Sequence, residues 1–122
     1  MEIIMNKSSV VYKVSTYNKA LSSPVRMKIM KILGSYESTP LMVSQIAELL
    51  GLAQPTVSKH LQILAQANFV NFKIIKTARY YRINKESVQE YYNLIQSIFL
   101  ATYTPCNYNY QCDICPHSET CI

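Results

Sequence analysis

Apolar residues recur every three or four positions in two successive runs within residues 41–68, which is the spacing of one face of a helix. Gly51 separates the two runs, and glycine often ends helices because it adopts the left-handed backbone conformation cheaply. A second helix is predicted to begin near Pro55, since proline is favoured at the first helical position. The apolar positions of the first helix are Val43, Ile46, Ala47 and Leu50. Those of the second helix are Val57, Leu61 and Leu64.

The polar face of the second helix carries hydroxyls, amides, a histidine and a cation, and no acidic residue occurs between Gly51 and Lys85. Such groups donate to and accept from base edges and phosphates. The pattern predicts a helix-turn-helix whose second helix enters the major groove of double-stranded DNA. The alternative is a helical hairpin within a bundle. The predicted DNA-contacting residues of this helix are Gln54, Thr56, Ser58, Lys59 and His60.

The flanking segments complete a mainly α fold with a small β-hairpin. Helices are predicted over about 7–21, over about 24–33 with Gly34 at its end, and from Asn84 to about Tyr103. Between them the apolar period changes to two, which predicts a hairpin over about 70–75 and 79–83. Its cations are expected along the phosphate backbone or in the minor groove, the alternative being a charged, solvated face. These predicted wing residues are Lys73, Lys76, Arg79 and Arg82.

The first and last predicted helices are more apolar than a helix on the surface of a small domain needs to be. In the last helix the apolar residues are Val88, Tyr91, Tyr92, Leu94, Ile95, Ile98 and Phe99. This excess predicts a partner chain, most simply in a two-fold homodimer.

Charge is distributed unevenly along the 122 residues, whose formal net charge is +5. Residues 1–85 hold all twelve Lys and Arg residues but only three acidic residues, whereas residues 86–122 hold four acidic residues and no Lys or Arg. A basic body indicates a polyanionic partner, usually nucleic acid. With no converging acids, bases and nucleophile, we do not expect an enzyme. With no membrane span and no secretory signal, a cytoplasmic location is expected.

At this point the chain resembles the ArsR/SmtB family of metal- and signal-sensing bacterial repressors. The matching segments are Leu21-Ser-Ser-Pro-Val-Arg26, Ile46-Ala-Glu-Leu-Leu-Gly51 and Gln54-Pro-Thr-Val-Ser-Lys-His-Leu61, and the resemblance covers about residues 15–85. The resemblance implies a dimeric winged helix-turn-helix repressor that leaves its operator when an inducer binds. We therefore expect a DNA-binding and dimerisation domain over residues 1–104 and a cysteine-rich tail over residues 105–122.

The chain departs from the family at several positions. Ala53 stands where a serine usually caps the recognition helix, and Asn68 stands where glycine is usual. The tip of the wing also lacks its common glycine. Met42 and Ser44 align with the Cys-x-Cys of some members, and residues 86–103 contain no His or Cys for the zinc site of others. Both familiar sensing sites are therefore absent, and the inducer is unknown.

All four cysteines lie in the tail, with the spacing Cys106-x5-Cys112-x2-Cys115-x5-Cys121. The central C-x-x-C has the spacing of a metal knuckle, and the outer cysteines complete a set of four thiolate ligands. Zinc is the simplest occupant, an iron–sulfur cluster also takes four thiolates, and another soft metal ion or a dithiol switch stays open. The sequence thus predicts a DNA-binding regulator that responds to a metal, iron–sulfur or redox signal. We expect this regulator to be a repressor. The alternative is a winged-helix protein-interaction module with a structural zinc tail.

Overall fold

The computed structural model describes residues 9–111 and 113–117. The described residues form five helices and a three-stranded antiparallel sheet with the strand order β1-β3-β2. In chain order the elements are α1 (Val10–Leu21), α2 (Pro24–Ser35), β1 (Leu41–Met42), α3 (Val43–Leu50), α4 (Gln54–Gln66), β2 (Val70–Ile75), β3 (Ala78–Ile83) and α5 (Lys85–Ala101). None of the helices in this described part combines the length and apolarity that a membrane span requires.

The chain divides into two compact units, which we call the central unit (residues 19–88) and the terminal unit (residues 1–18 and 89–122). The central unit contains the helix-turn-helix, α3 and α4, followed by the hairpin of β2 and β3. This order is that of a winged helix-turn-helix, so the predicted fold class is confirmed. Its buried core comprises Ala20, Ile29, Leu33, Leu41, Ile46, Ala47, Val57, Leu61, Leu64, Ala67, Phe69, Val70 and Tyr81.

The two helices of the helix-turn-helix both end in a left-handed residue. Gly51 ends α3 with φ of 68°, as predicted. After α4, Asn68 has φ of 64°, the backbone conformation for which glycine is usual. The Asn68 N–H donates to the Ala65 carbonyl, and the Phe69 N–H donates to the Leu64 carbonyl at 3.0 Å. These two bonds form a Schellman motif, and both Leu64 and Phe69 are buried beside it.

The sheet contains one strand that the sequence analysis does not predict. Leu41 and Met42, interpreted above as the start of the helix-turn-helix, pair with Tyr81 and Tyr80 of β3 as an edge strand. A strand of two residues is too short to show the alternation of apolar and polar residues. Only its pairing with β3 identifies it as a strand. The predicted hairpin is confirmed, and its two-residue loop places Lys76 at φ of 58°.

The second helix also differs from the prediction at its end. α2 continues to Ser35, so Gly34 lies inside its last turn and does not terminate it. A Cβ atom at this position would lie 3.6 Å from Ile83 Cδ1, which is ordinary contact. The predicted start is confirmed, because Ser23 caps the helix by accepting the Arg26 N–H and Pro24 follows it.

In the terminal unit, side chains of α1 and α5 contact each other. The rings of Tyr17 and Tyr91 lie edge to face with centroids 5.8 Å apart. The Tyr91 hydroxyl donates to Asn18 Oδ1 at 2.7 Å, and Lys13 lies 3.7 Å from Glu90. Ser9 caps α1 by accepting the Tyr12 N–H, so the helix begins with Val10 in the described part of the chain. The predicted start of this helix at Lys7 lies outside the described residues.

Candidate nucleic-acid interface and cysteine tail

The α4 helix buries one stripe of apolar residues, although Ile63 outside that stripe is 39% exposed. Its apolar stripe is buried, with Val57, Leu61 and Leu64 each at 0% exposure. Outside this stripe the side chains of Gln54, Thr56 and Lys59 are exposed, and those of Ser58 and His60 are half-buried. All five residues predicted to contact DNA therefore lie on the surface of one helix, where short polar groups can reach a groove.

The start of α4 lacks a side-chain cap. Ala53 occupies the N-cap position with extended backbone and makes no side-chain hydrogen bond. The amides of Thr56 and Val57 donate to the Ala53 carbonyl at 3.1 and 3.2 Å. The substitution of alanine for the usual serine thus leaves the helix without a side-chain cap, since a serine would add an acceptor for a first-turn N–H.

His60 has a partner that the sequence analysis misses. Arg26 of α2 places its Nη1 atom 3.1 Å from His60 Nδ1. The same guanidinium donates from Nε to the Ala20 carbonyl at 2.6 Å and from Nη2 to the Lys19 carbonyl at 3.4 Å. In the sequence, Arg26 stands out only as part of the segment that resembles the family. Nothing in that segment indicates a contact with His60, 34 residues further along the chain.

The four predicted wing cations do not form one patch. The register pairs Asn71 with Arg82, Lys73 with Tyr80 and Ile74 with Arg79. Because side chains alternate across a strand, Lys73 and Arg82 lie on one face of the hairpin and Arg79 lies on the other. Lys76 lies in the loop at the tip. The wing therefore presents cations on both faces and at its end.

Arg79 is held in place by an aromatic ring. Its guanidinium carbon lies 4.6 Å from the centroid of the Phe72 ring, a cation–π contact. Phe72 in turn contacts the buried ring of Tyr81, with centroids 5.4 Å apart. This stack connects an exposed cation to the core of the central unit, so Arg79 loses less side-chain entropy than a free arginine when it binds an anion.

The surface formed by α4 and the hairpin carries positive charge without paired acids in the described part of the chain. Among the residues that the structure describes, none of the cations on α4 and the hairpin forms an ion pair with an acid. By contrast, Lys85 lies 2.7 Å from Glu37. The unpaired cations are Lys59, Lys73, Lys76, Arg79 and Arg82.

Two of the four predicted metal ligands lie in the described part of the tail, and Cys112 and Cys121 lie outside it. Cys106 and Cys115 are both half-buried, and each sulfur accepts a backbone N–H from the residue two positions later. The donors are Tyr108, at 3.4 Å from Cys106 Sγ, and His117, at 3.3 Å from Cys115 Sγ. The Tyr108 and His117 rings meet edge to face at 6.3 Å, which brings the two short segments together.

Comparison with known proteins agrees with this architecture. Residues 23–71 match the family model of bacterial regulatory proteins of the arsR family. An HTH-type transcriptional regulator of Methanocaldococcus jannaschii is 34% identical over 80 residues, which are 66% of this chain and 88% of the relative. The transcriptional repressor SdpR of Bacillus subtilis is 33% identical over 75 residues, which are 62% of this chain and 80% of the relative.

A solved structure shows the same fold. The homodimeric winged helix-turn-helix DNA-binding domain of a possible ArsR-family regulator from Mycobacterium bovis superposes with a TM-score of 0.60. The superposition covers 88% of this chain and all of that domain, at 22% identity. Family membership rests on the family model and on the Methanocaldococcus jannaschii relative, which show that the chain belongs to the arsR family of DNA-binding transcriptional regulators.

Proposed function

We propose that the protein binds a double-stranded DNA operator, with α4 in the major groove and the β2–β3 wing along the phosphate backbone. The observation that carries this proposal is the exposed face of α4, on which hydroxyl and amide groups stand without an acidic neighbour from Gly51 to Lys85. Carboxylates on this face would repel phosphates, and their absence leaves a surface suited to a polyanion.

The two parts of this surface have different tasks. Gln54 and Thr56 are uncharged and exposed, so they are suited to reading base edges. Lys59 and the wing cations are suited to phosphates, which determine affinity and its salt dependence but carry no sequence information. Because SdpR of Bacillus subtilis is a transcriptional repressor, we assign the protein the same sign of regulation.

Operator binding is tested by fluorescence anisotropy with DNA from the protein's own promoter region, titrated at several salt concentrations. Lys59→Ala and Arg79→Ala should each reduce the slope of log affinity against log salt by about 0.9, the value for one lost phosphate contact. Thr56→Ala should instead reduce the preference for the promoter over unrelated DNA, with a cost of about 1–3 kcal/mol at the base concerned.

Lys31→Ala provides the matched control, because Lys31 is an exposed cation of α2 that lies outside α4 and the wing. This variant changes the charge equally and should leave the slope near the wild-type value. Equal slopes for Lys31→Ala, Lys59→Ala and Arg79→Ala would contradict the proposed contact surface.

We also propose that the protein acts as a homodimer through the terminal unit. On α5, Tyr92, Phe99 and Leu100 are 61%, 67% and 76% exposed, and with Ile95 they line an apolar groove. A lone helix gains nothing by exposing such a surface to water, whereas a second copy would bury it. The Mycobacterium bovis domain of the same fold is a homodimer, which supports this assembly.

Finally, we propose that the C-terminal cysteines make operator binding responsive to a metal or redox signal. Cys106 and Cys115 each accept a backbone N–H bond, and cysteine sulfur is both a ligand for soft metal ions and the site of thiol redox chemistry. With Cys112 and Cys121 they would supply four thiolates for zinc, an iron–sulfur cluster or another soft metal ion. Such a group would cross-link a short segment that has little apolar core of its own.

The test is elemental analysis and an absorbance spectrum of anaerobically purified protein, followed by anisotropy with metal-loaded and metal-free samples. A sensory tail should change operator affinity when the metal or the thiol state changes, and the helices should stay folded. If the protein contains no metal and its DNA affinity is the same with and without reductant, the tail has no part in regulation.

A further inference from the structure

We propose that Arg26 is a positioning residue for DNA binding, which orients His60 and fixes its ring tautomer so that the histidine presents an Nε2–H donor to the DNA. The inference rests on the proposed function, because it requires α4 to face DNA. It concerns a residue of α2, outside both the recognition helix and the wing.

The chemistry of the pair determines the position of the proton. A guanidinium carries only N–H donors, so the nitrogen that it contacts has to accept. Arg26 Nη1 lies 3.1 Å from His60 Nδ1, and the neutral ring therefore carries its proton on Nε2. Among the described residues, this is the one hydrogen bond of the His60 ring.

Arg26 is itself held firmly. Its Nε and Nη2 atoms donate to the carbonyls of Ala20 and Lys19, in the last turn of α1 within the central unit. Carbonyls in the last turn of a helix lack intrahelical partners and attract cations, so the guanidinium gives the Ala20 carbonyl a donor and adds one to the Lys19 carbonyl, which also accepts from Ser22. With three contacts the Arg26 side chain is immobilised, and the His60 ring bonded to it is oriented before DNA arrives.

His60 lies where an oriented donor is useful. It follows Thr56 by one helical turn, so the two residues share one face of α4. A single N–H donor matches a phosphate oxygen or the acceptor edge of guanine. Without Arg26, the ring could rotate and exchange tautomers, and binding would have to order it.

The inference is tested with a double-mutant cycle of Arg26→Met, His60→Ala and the double variant, measured by anisotropy on promoter DNA. Each single change should weaken binding about fivefold, the equivalent of one ordinary hydrogen bond. The double variant should bind like His60→Ala alone, because Arg26 acts through the histidine. If the two losses multiply instead, Arg26 contributes independently and the proposal is wrong. Lys31→Met, the same change of charge at an exposed position of α2, is the control.

A second measurement needs no DNA. Nitrogen-15 NMR of the wild-type histidine rings should show the His60 proton on Nε2 and an unprotonated Nδ1, and a proton on Nδ1 would overturn the assignment. In Arg26→Met the signals should move toward a mixture of tautomers. If wild-type protein fails to bind promoter DNA, the proposed function fails, whereas normal binding with an unaffected Arg26→Met variant overturns only the role of Arg26.

Discussion

Replacing Lys76 with glycine should stabilise the protein and weaken its binding to DNA. Lys76 occupies the two-residue loop of the wing with φ of 58°. In this left-handed region the Cβ atom of an L-residue approaches the following carbonyl oxygen, at a cost of roughly 1–2 kcal/mol. Glycine has no Cβ and avoids that cost.

The gain is partly offset in the unfolded chain. Glycine is more flexible than lysine there, and ordering it costs about 0.4–1 kcal/mol more. The net stabilisation for Lys76→Gly is therefore about 0.5–1 kcal/mol, which corresponds to a rise in Tm of roughly 2–5 °C for a domain of this size. The exposed lysine has no ion pair within the described residues that the substitution would break.

Lys76→Ala is the matched comparison, because it removes the same cation but keeps a Cβ atom. Thermal unfolding, followed by circular dichroism at one fixed protein concentration, should rank the glycine variant above the alanine variant. Both variants should lose the same phosphate contact and show the same reduction of the salt slope, about 0.9. The reasoning is refuted if the two variants unfold at the same temperature, or if only one of them loses DNA affinity.

Three further predictions follow from the structure. Ala53→Ser should raise the free energy of unfolding by about 1 kcal/mol in urea titrations, because its hydroxyl can accept the Thr56 N–H, and an unchanged midpoint would contradict that cap. Ile95→Glu should convert the proposed dimer to monomer in sedimentation experiments, since burying an unpaired carboxylate costs several kcal/mol, while Ser38→Glu at an exposed position of the central unit should remain dimeric. Cys115→Ser should lower the metal content per chain strongly, and equal metal in the variant and wild type would remove Cys115 from the ligand set.

The helices of the central unit were predictable because the apolar period that packs into the core and the residues that end each helix indicate the same boundaries. Gly51 and Asn68 each follow the last residue of a helical apolar period, and both adopt positive φ in the structure. Gly34 misled the same reasoning, because glycine is merely tolerated in the last turn of α2. The strand Leu41–Met42 was not predictable, because its two residues are defined by pairing with β3 and carry no pattern of their own.

The candidate site was predictable in composition but not in arrangement. The sequence identifies the cations of the wing, yet only the register separates Arg79 from Lys73 and Arg82 across the two faces of the hairpin. The contact of Arg79 with Phe72 follows from the same register, since the two residues are diagonal neighbours on one face. A phosphate on that side would meet a preorganised arginine, whereas among the described residues neither Lys73 nor Arg82 on the other face has a comparable ring contact.

The family resemblance alone does not indicate that Arg26 contributes to the candidate site. Its segment resembles the family through residues that start α2, and on that basis Arg26 has only the role of an exposed cation near a helix N-terminus, where the helix dipole disfavours it. The structure resolves this local conflict, because the side chain turns to the carbonyls of Ala20 and Lys19 and to the ring of His60. A residue that is locally unfavourable but fixed by three partners outside its own helix is the kind of position at which function overrides local preference. The same guanidinium contacts the last turn of α1 and His60 of α4, on the surface proposed to face DNA, so a shift of that turn would reach His60 directly.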